Sequence, residues 1–153
     1  MEIVQLGPTD AQKVQDAAHL FDGPPLADAV DRFLADDRHH LFLAYEDERP
    51  VGFVSGVELT HPDKGTEMFL YEIAVDEAYR RRGIGRALVR TLGELASARG
   101  CYGMFVLTES ENDAALAAYA TDGPLREDGF VMFTWEPPRP QDVPRGETPP
   151  EAR

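Results

Sequence analysis

The chain has one cysteine, Cys101, in 153 residues. No internal disulfide can form, so the fold must hold by packing alone, and a reducing compartment is expected. Cys101 stands at the start of an apolar run with no basic partner beside it. It reads as a small buried apolar residue, not as a catalytic thiol. Apolar runs such as Leu41–Tyr45 are far too short to span a membrane. No basic-then-apolar segment follows Met1, so no signal peptide is expected, and the cytoplasm is the expected location. Basic residues are scarce: 15 Lys and Arg stand against 28 Asp and Glu, a formal net charge of −13. That balance excludes nucleic acid as a natural partner and favours a cationic one. Four histidines show no ligand spacing, and His39-His40 reads as a helix-to-strand junction, so no metal is expected.

What is present concentrates between Glu67 and Arg90. Met68 to Val75 is aromatic, aliphatic and β-branched, the composition of a strand. From Ile84 the apolar residues Ala87, Leu88, Leu92 and Leu95 recur at helical spacing, and Gly100 stands where a C-terminal cap belongs. Between strand and helix lies Arg80-Arg81-Arg82-Gly83-Ile84-Gly85-Arg86. With Arg90, five of the scarce cations fall within eleven positions. Glycines let a ligand approach the backbone, and a helix start offers unpaired N–H groups with the positive end of its dipole. This is an arrangement for phosphate or pyrophosphate. A Walker loop would need Gly-Lys-Ser/Thr, and a dinucleotide fingerprint would need glycine where Leu88 stands.

The rest of the chain reads as one domain over residues 1–136. Glu2 to Leu6 is a first strand. Thr9-x-x-Gln12 has the form of a capping box before a helix bearing Val14, Ala17, Ala18 and Phe21. Gly23-Pro24-Pro25 breaks it, and Leu26, Val30, Phe33 and Leu34 mark a second amphipathic helix. His40–Glu46 and Val51–Leu59 read as strands joined by a hairpin turn at Asp47-Glu48-Arg49-Pro50. Tyr102–Thr108 is a further strand. It closes a βαβ unit with Glu67–Val75, and those two strands should be parallel. Asn112 or Asp113 can cap a helix over Ala114–Thr121, and Phe130–Glu136 has the composition of a last strand. Residues 137–153 hold 6 of the 12 prolines and read as a disordered tail.

Arg80-x-x-Gly83-x-Gly85 after a strand ending Ile-Ala-Val resembles the acetyl-CoA signature of the GNAT superfamily of N-acetyltransferases. A second segment strengthens the resemblance: Asn112-Asp113 starts a helix, and Tyr119 and then Gly123 follow. Pro124 stands where that family usually has an aromatic residue. Within the superfamily the chain is most similar to the type I aminoglycoside 3-N-acetyltransferases. The shared tokens are Phe69-Leu70-Tyr71-Glu72-Ile73-Ala74-Val75, Asn112–Tyr119, and Arg126-Glu127 ahead of Val131-Met132. Glu72 replaces the Asp usual in that group, and Asp128-Gly129-Phe130 looks like an insertion.

The resemblance implies a mixed α/β fold. Its sheet would be mostly antiparallel, with six or seven strands, about four helices, and one parallel pair at the acetyl-CoA site. It implies direct acetyl transfer to a primary amine. The pyrophosphate would lie on Arg80, Arg81, Arg82, Gly83, Ile84, Gly85 and Arg86. Ile73, Ala74 and Val75 would align the pantetheine like an added strand, and Asn112 would contribute to the same site. Glu72 is the first candidate for the base that deprotonates the amine, and Glu109 the second. Tyr119 would protonate the departing thiolate, and Glu72, Glu109 and Asp113 would attract a cationic acceptor. Three functions compete: acetylation of an aminoglycoside 3-amine, acetylation of another small cation or a protein amine, and CoA sensing without turnover. Homodimers are common in the superfamily, so a second copy of the chain is a candidate partner.

Overall fold

In a computed structural model of the chain, residues 1–120 and 123–135 are described. Five strands form one sheet in the order β1 (Glu2–Gln5), β2 (His39–Glu46), β3 (Arg49–His61), β4 (Gly65–Val75) and β5 (Met104–Phe105). The first three pairings are antiparallel, and β4 with β5 is parallel. The β2–β3 connection is two residues, Asp47 and Glu48, both at positive φ (47° and 66°). That geometry matches the right-handed strand twist. Pro50, which has no N–H to give a ladder, lies beside an irregularity in the β2–β3 register.

Both faces of the sheet are covered, which is why β2 is apolar without alternation. On one face lies α3 (Ile84–Ala98), which buries Ile84, Leu88, Val89, Leu92 and Ala96 against Phe42, Val54, Met68 and Leu70. On the other lie α1 (Ala11–Asp16) and α2 (Ala27–Ala35), whose Val14, Val30 and Leu34 meet Leu41, Leu43 and Phe53. Gly56 lets α3 approach closely: a Cβ there would stand 2.8 Å from Leu92 Cδ1 and 2.9 Å from Met68 Sδ.

Several expectations need correction. Asp10, not Thr9, precedes α1, and its carboxylate accepts from the Gly7 N–H (2.8 Å) instead of capping the helix. The expected strand Tyr102–Thr108 pairs only over Met104–Phe105. The expected last strand fails over the described positions, where residues 130–135 pair with no strand and are exposed. Glu136, Thr121 and the proline-rich stretch 137–153 lie outside the described residues, so the sheet has five strands among the described residues. Asn112 caps α4 (Asp113–Tyr119), its Oδ1 accepting from Ala115 N–H at 3.1 Å. Among the described residues no helix is long and apolar enough to cross a membrane.

Candidate active site

The site begins with one extra residue. Ser55 pairs with Glu72 while the next position, Gly56, pairs with Leu70, so Tyr71 is a bulge in β4. A bulge shifts the alternation of a strand by one residue. Before it, Met68 and Leu70 face α3 and the Met68 N–H donates toward the β5 side, to Gly103 C=O at 2.9 Å. After it, Asp76 N–H turns toward β3, donating to Val51 C=O at 2.9 Å. Alternation therefore aims the peptide groups of Ile73 and Val75 away from β3. On that side β5 is missing, because its pairing with β4 stops at Phe69–Phe105. The parallel strands part there and leave a backbone edge open from Ile73 to Val75.

The N-terminus of α3 stands beside this opening. Gly83 is its N-cap at φ +82°, and Arg81 before it is also left-handed at φ +61°. The first intrahelical bond runs from Ala87 N–H to Gly83 C=O, so Ile84, Gly85 and Arg86 carry N–H groups ahead of the ladder. The arginines are partly committed to shaping the loop. Arg80 Nε donates to Val75 C=O (3.1 Å), Arg82 donates to Ala78 C=O (3.2 Å), and the Arg82 guanidinium lies 4.9 Å from the Tyr79 ring centre. Arg86 Nε reaches Ala117 C=O (3.3 Å) and ties α4 to α3. A ligand pairing along β4 would compete with Arg80 for the Val75 carbonyl.

Glu72 is half-buried on the opposite face of the sheet from α3, paired with Ser55 and beside the Phe53–Ala74 pair. Burial raises its carboxyl above the usual carboxylate range, and the charge of Asp22 raises it further. Such a carboxylate is a better proton acceptor than a free one. Tyr119, in the last turn of α4, packs against the core beneath α3, and burial raises its phenol. It keeps its proton at neutral pH and can donate it. Glu109 and Asp113 are exposed. Glu109 lies beyond the end of β5, its C=O accepting from Asn112 N–H (3.1 Å), and Asp113 lies in the first turn of α4. Asn112 spends its side-chain oxygen on the cap.

Ile73, Val75 and Tyr119 pack on the same core, and α4 is tied to the start of α3, so Tyr119 lies on the α3 side of the split, Glu72 lies on the opposite face, and Glu109 and Asp113 are exposed to solvent. Sequence reasoning missed Asp22, which follows Phe21; the Phe21 ring stacks on Phe53 (4.3 Å between centres). The break at Gly23-Pro24-Pro25 was its only signal. The histidines are used elsewhere: His40 Nε2 lies 2.8 Å from Glu58, and His19 Nε2 lies 3.1 Å from Pro50 C=O.

A mixed sheet that splits after a bulged strand, with a glycine-arginine turn leading into a helix at the split, defines the class. The sequence profile of the Acetyltransferase (GNAT) family matches residues 11–123, and the chain belongs to that family. The N-alpha-acetyltransferase RimI of Mycobacterium tuberculosis is 37% identical over 119 residues, covering 74% of this chain and 72% of RimI. An uncharacterized protein of Mycobacterium leprae is 36% identical over 124 residues, 77% of this chain, but the chain spans only 33% of that protein. A solved aminoglycoside acetyltransferase from a soil metagenomic sample, in complex with sisomicin, shares the fold with a TM-score of 0.80. That structural match has 22% identity and covers 88% of this chain and 95% of that one.

Proposed function

We propose that the chain is an N-acetyltransferase that moves an acetyl group directly from acetyl-CoA to a primary amine of a small polycation. The 3-amino group of an aminoglycoside such as gentamicin is the first candidate acceptor. One observation carries the reading: a half-buried carboxyl of raised pKa, Glu72, adjoins an open strand edge that ends at a helix N-terminus. A thioester lying along that edge has its carbonyl beside the Ile73 N–H, a donor suited to the developing oxyanion. Its pyrophosphate falls on the backbone of Arg81 to Arg86.

Glu72, directly or through a water, takes a proton from the acceptor ammonium, since only the free amine attacks. The new C–N bond forms as the C–S bond breaks. The sulfur leaves with its electron pair and takes a proton from the Tyr119 hydroxyl, and the acylated nitrogen gives its second proton, through water, to the Tyr119 phenolate, which leaves a neutral amide and a reset phenol. The exposed Glu109 and Asp113, with Asp22 close enough for its charge to act on Glu72, give a polycationic acceptor anionic groups to approach. The 3-amine rests on the Phe69–Val75 and Asn112–Tyr119 tokens.

The similarity to RimI favours a second reading, the α-amine of a protein N-terminus. Thiol release from acetyl-CoA, with mass spectrometry of products, tests both. The acceptors are gentamicin, sisomicin, kanamycin, spermidine, a lysine peptide and a peptide with a free N-terminus. Turnover on gentamicin with acetyl on the 3-amine supports the first reading. Turnover on the peptide alone replaces it with the second. CoA binding without turnover on any amine refutes catalysis and leaves a sensor.

A further inference from the structure

Arg80 stands at the joint between the two halves of the candidate site. β4 ends at Val75, and one turn of 3-10 helix, Glu77–Tyr79, reverses the chain. Asp76 holds that turn. One of its carboxylate oxygens accepts from Ala78 N–H (3.0 Å), the other takes Arg49 (2.9 Å), and its C=O accepts from Tyr79 N–H (2.8 Å). The turn brings Arg80 back beside the strand the chain has just left, and Arg80 Nε donates to Val75 C=O at 3.1 Å. That carbonyl closes the open edge of β4, so the guanidinium lies where a hydrogen bond to an added strand would form. Arg49 is tied to a carboxylate, whereas this bond of the exposed Arg80 goes to a neutral carbonyl. A guanidinium binds an ionised phosphate oxygen more strongly than a neutral acceptor, so a diphosphate at the start of α3 can draw Arg80 off the edge.

We infer, on the reading that acetyl-CoA pairs along β4, that Arg80 guards this edge and yields it only to a thioester that carries a diphosphate. Arg80 is then a specificity-determining residue that favours CoA thioesters over bare pantetheine thioesters. Without a diphosphate, Arg80 keeps Val75 C=O, and a pantetheine amide has to displace it. With a diphosphate at the loop, the guanidinium exchanges a neutral acceptor for an anionic one, and Val75 C=O is free for the pantetheine N–H. The two parts of the ligand touch different parts of the protein, yet each makes room for the other, which is positive coupling between their sites. The other tied arginines of the loop do not hold this position. Arg82 donates to Ala78 C=O and Arg86 to Ala117 C=O, and neither carbonyl belongs to β4.

The test uses the full chain and two thioesters, acetyl-CoA and S-acetyl-pantetheine, which has no phosphate. Calorimetry and ligand-observed NMR give a Kd for each, and no acceptor amine is needed. Arg80→Ala should change the two in opposite directions. Acetyl-CoA should weaken about tenfold, since a charge-assisted bond to phosphate is lost. S-acetyl-pantetheine should tighten about two- to tenfold, the worth of one ordinary hydrogen bond that it no longer displaces. In the wild type, saturating inorganic pyrophosphate should tighten S-acetyl-pantetheine by the same factor, and Arg80→Ala should abolish that effect. A variant that binds S-acetyl-pantetheine no tighter than wild type overturns the inference. So does pyrophosphate that leaves the wild-type affinity unchanged, because Arg80 would then hold the carbonyl and the phosphate together. The wild-type measurement stands even where the variant does not fold. A wild type that binds no acetyl-CoA refutes the cofactor reading as well, whereas acetyl-CoA binding without coupling overturns the guarding role alone.

Discussion

Replacing Glu72 with Gln should separate a catalytic carboxylate from a structural one, because the two roles predict opposite signs for stability. Burial and the Asp22 charge raise the Glu72 carboxyl. A group whose folded pKa lies above its unfolded value stabilises fully below the unfolded pKa, and that contribution fades as pH rises through the folded value. Above it, the folded chain holds a partly desolvated charge beside a like charge. Gln keeps the shape and removes the charge. Its Tm should therefore equal or exceed wild type at pH 8, with the difference vanishing near pH 4. Activity should move the other way. A positioned general base contributes roughly 10²–10⁴-fold, so kcat/KM should fall by that factor, about 3 to 5 kcal/mol of transition-state stabilisation. The assay is thiol release on the best acceptor across the pH range in which the fold is stable, with melts from pH 4 to pH 8. The acid limb set by the carboxyl should disappear in the variant. Asp22→Asn should move the wild-type limb to lower pH, since it removes one of the two causes of the shift. A kcat/KM within about threefold of wild type, or a lower Tm at pH 8, would refute the assignment.

Tyr119→Phe should lower kcat at least tenfold while the acetyl-CoA KM changes little, because the hydroxyl is used only as the thiolate leaves; an unchanged kcat removes Tyr119 from the reaction. Gly83→Asp should keep the fold, since a Cβ there meets nothing within 4 Å and the φ of +82° costs about 1–2 kcal/mol. It should abolish CoA binding by calorimetry, and unchanged affinity would refute the loop as the pyrophosphate site. Glu58 joins His40 (2.8 Å) to Arg99 (2.6 Å) at the far end of α3. Burial pushes its carboxyl up, but the hydrogen bonds from Arg99 and His40 outweigh burial and hold it below the usual range. That contribution is present above the unfolded pKa and lost as pH falls through the folded one, so Glu58→Gln should cost about 1–3 kcal/mol at pH 7 and much less near pH 3 by urea denaturation.

The parts legible in the sequence are those set by local chemistry. The start of α3 at Ile84 follows from apolar spacing, whereas Gly83, read as a place for a ligand to approach the backbone, is in the structure the left-handed N-cap of that helix. The hairpin between β2 and β3 and the Asn112 cap are equally local, although the turn expected over Asp47-Glu48-Arg49-Pro50 is only Asp47-Glu48, with Arg49 and Pro50 already in β3. What failed depends on competition between neighbours or on distant partners. Thr9-x-x-Gln12 matched a cap pattern, but the neighbouring Asp10 carboxylate took the Gly7 N–H. Phe130–Glu136 has strand composition, but composition does not supply the strand to pair with. Tyr102–Thr108 pairs over two residues only, because β4 bends away at a bulge that no residue type announces.

That bulge makes the candidate site possible. Met68 and Leu70 point into the core under α3, and in a regular strand the next residue of that parity, Glu72, would follow them there. A carboxylate in that core would have no partner and a large desolvation cost. The extra residue at Tyr71 turns Glu72 to the other face, opposite Ser55 and toward Asp22. It also gives Ile73 and Val75 to the α3 core, where both pack. Their peptide groups turn in the same step from β3 to the open edge. One inserted residue thus sets the proposed proton acceptor and the proposed backbone donors together, on either side of the line a thioester would take. Moving the bulge by one position would bury one of them and close off the other.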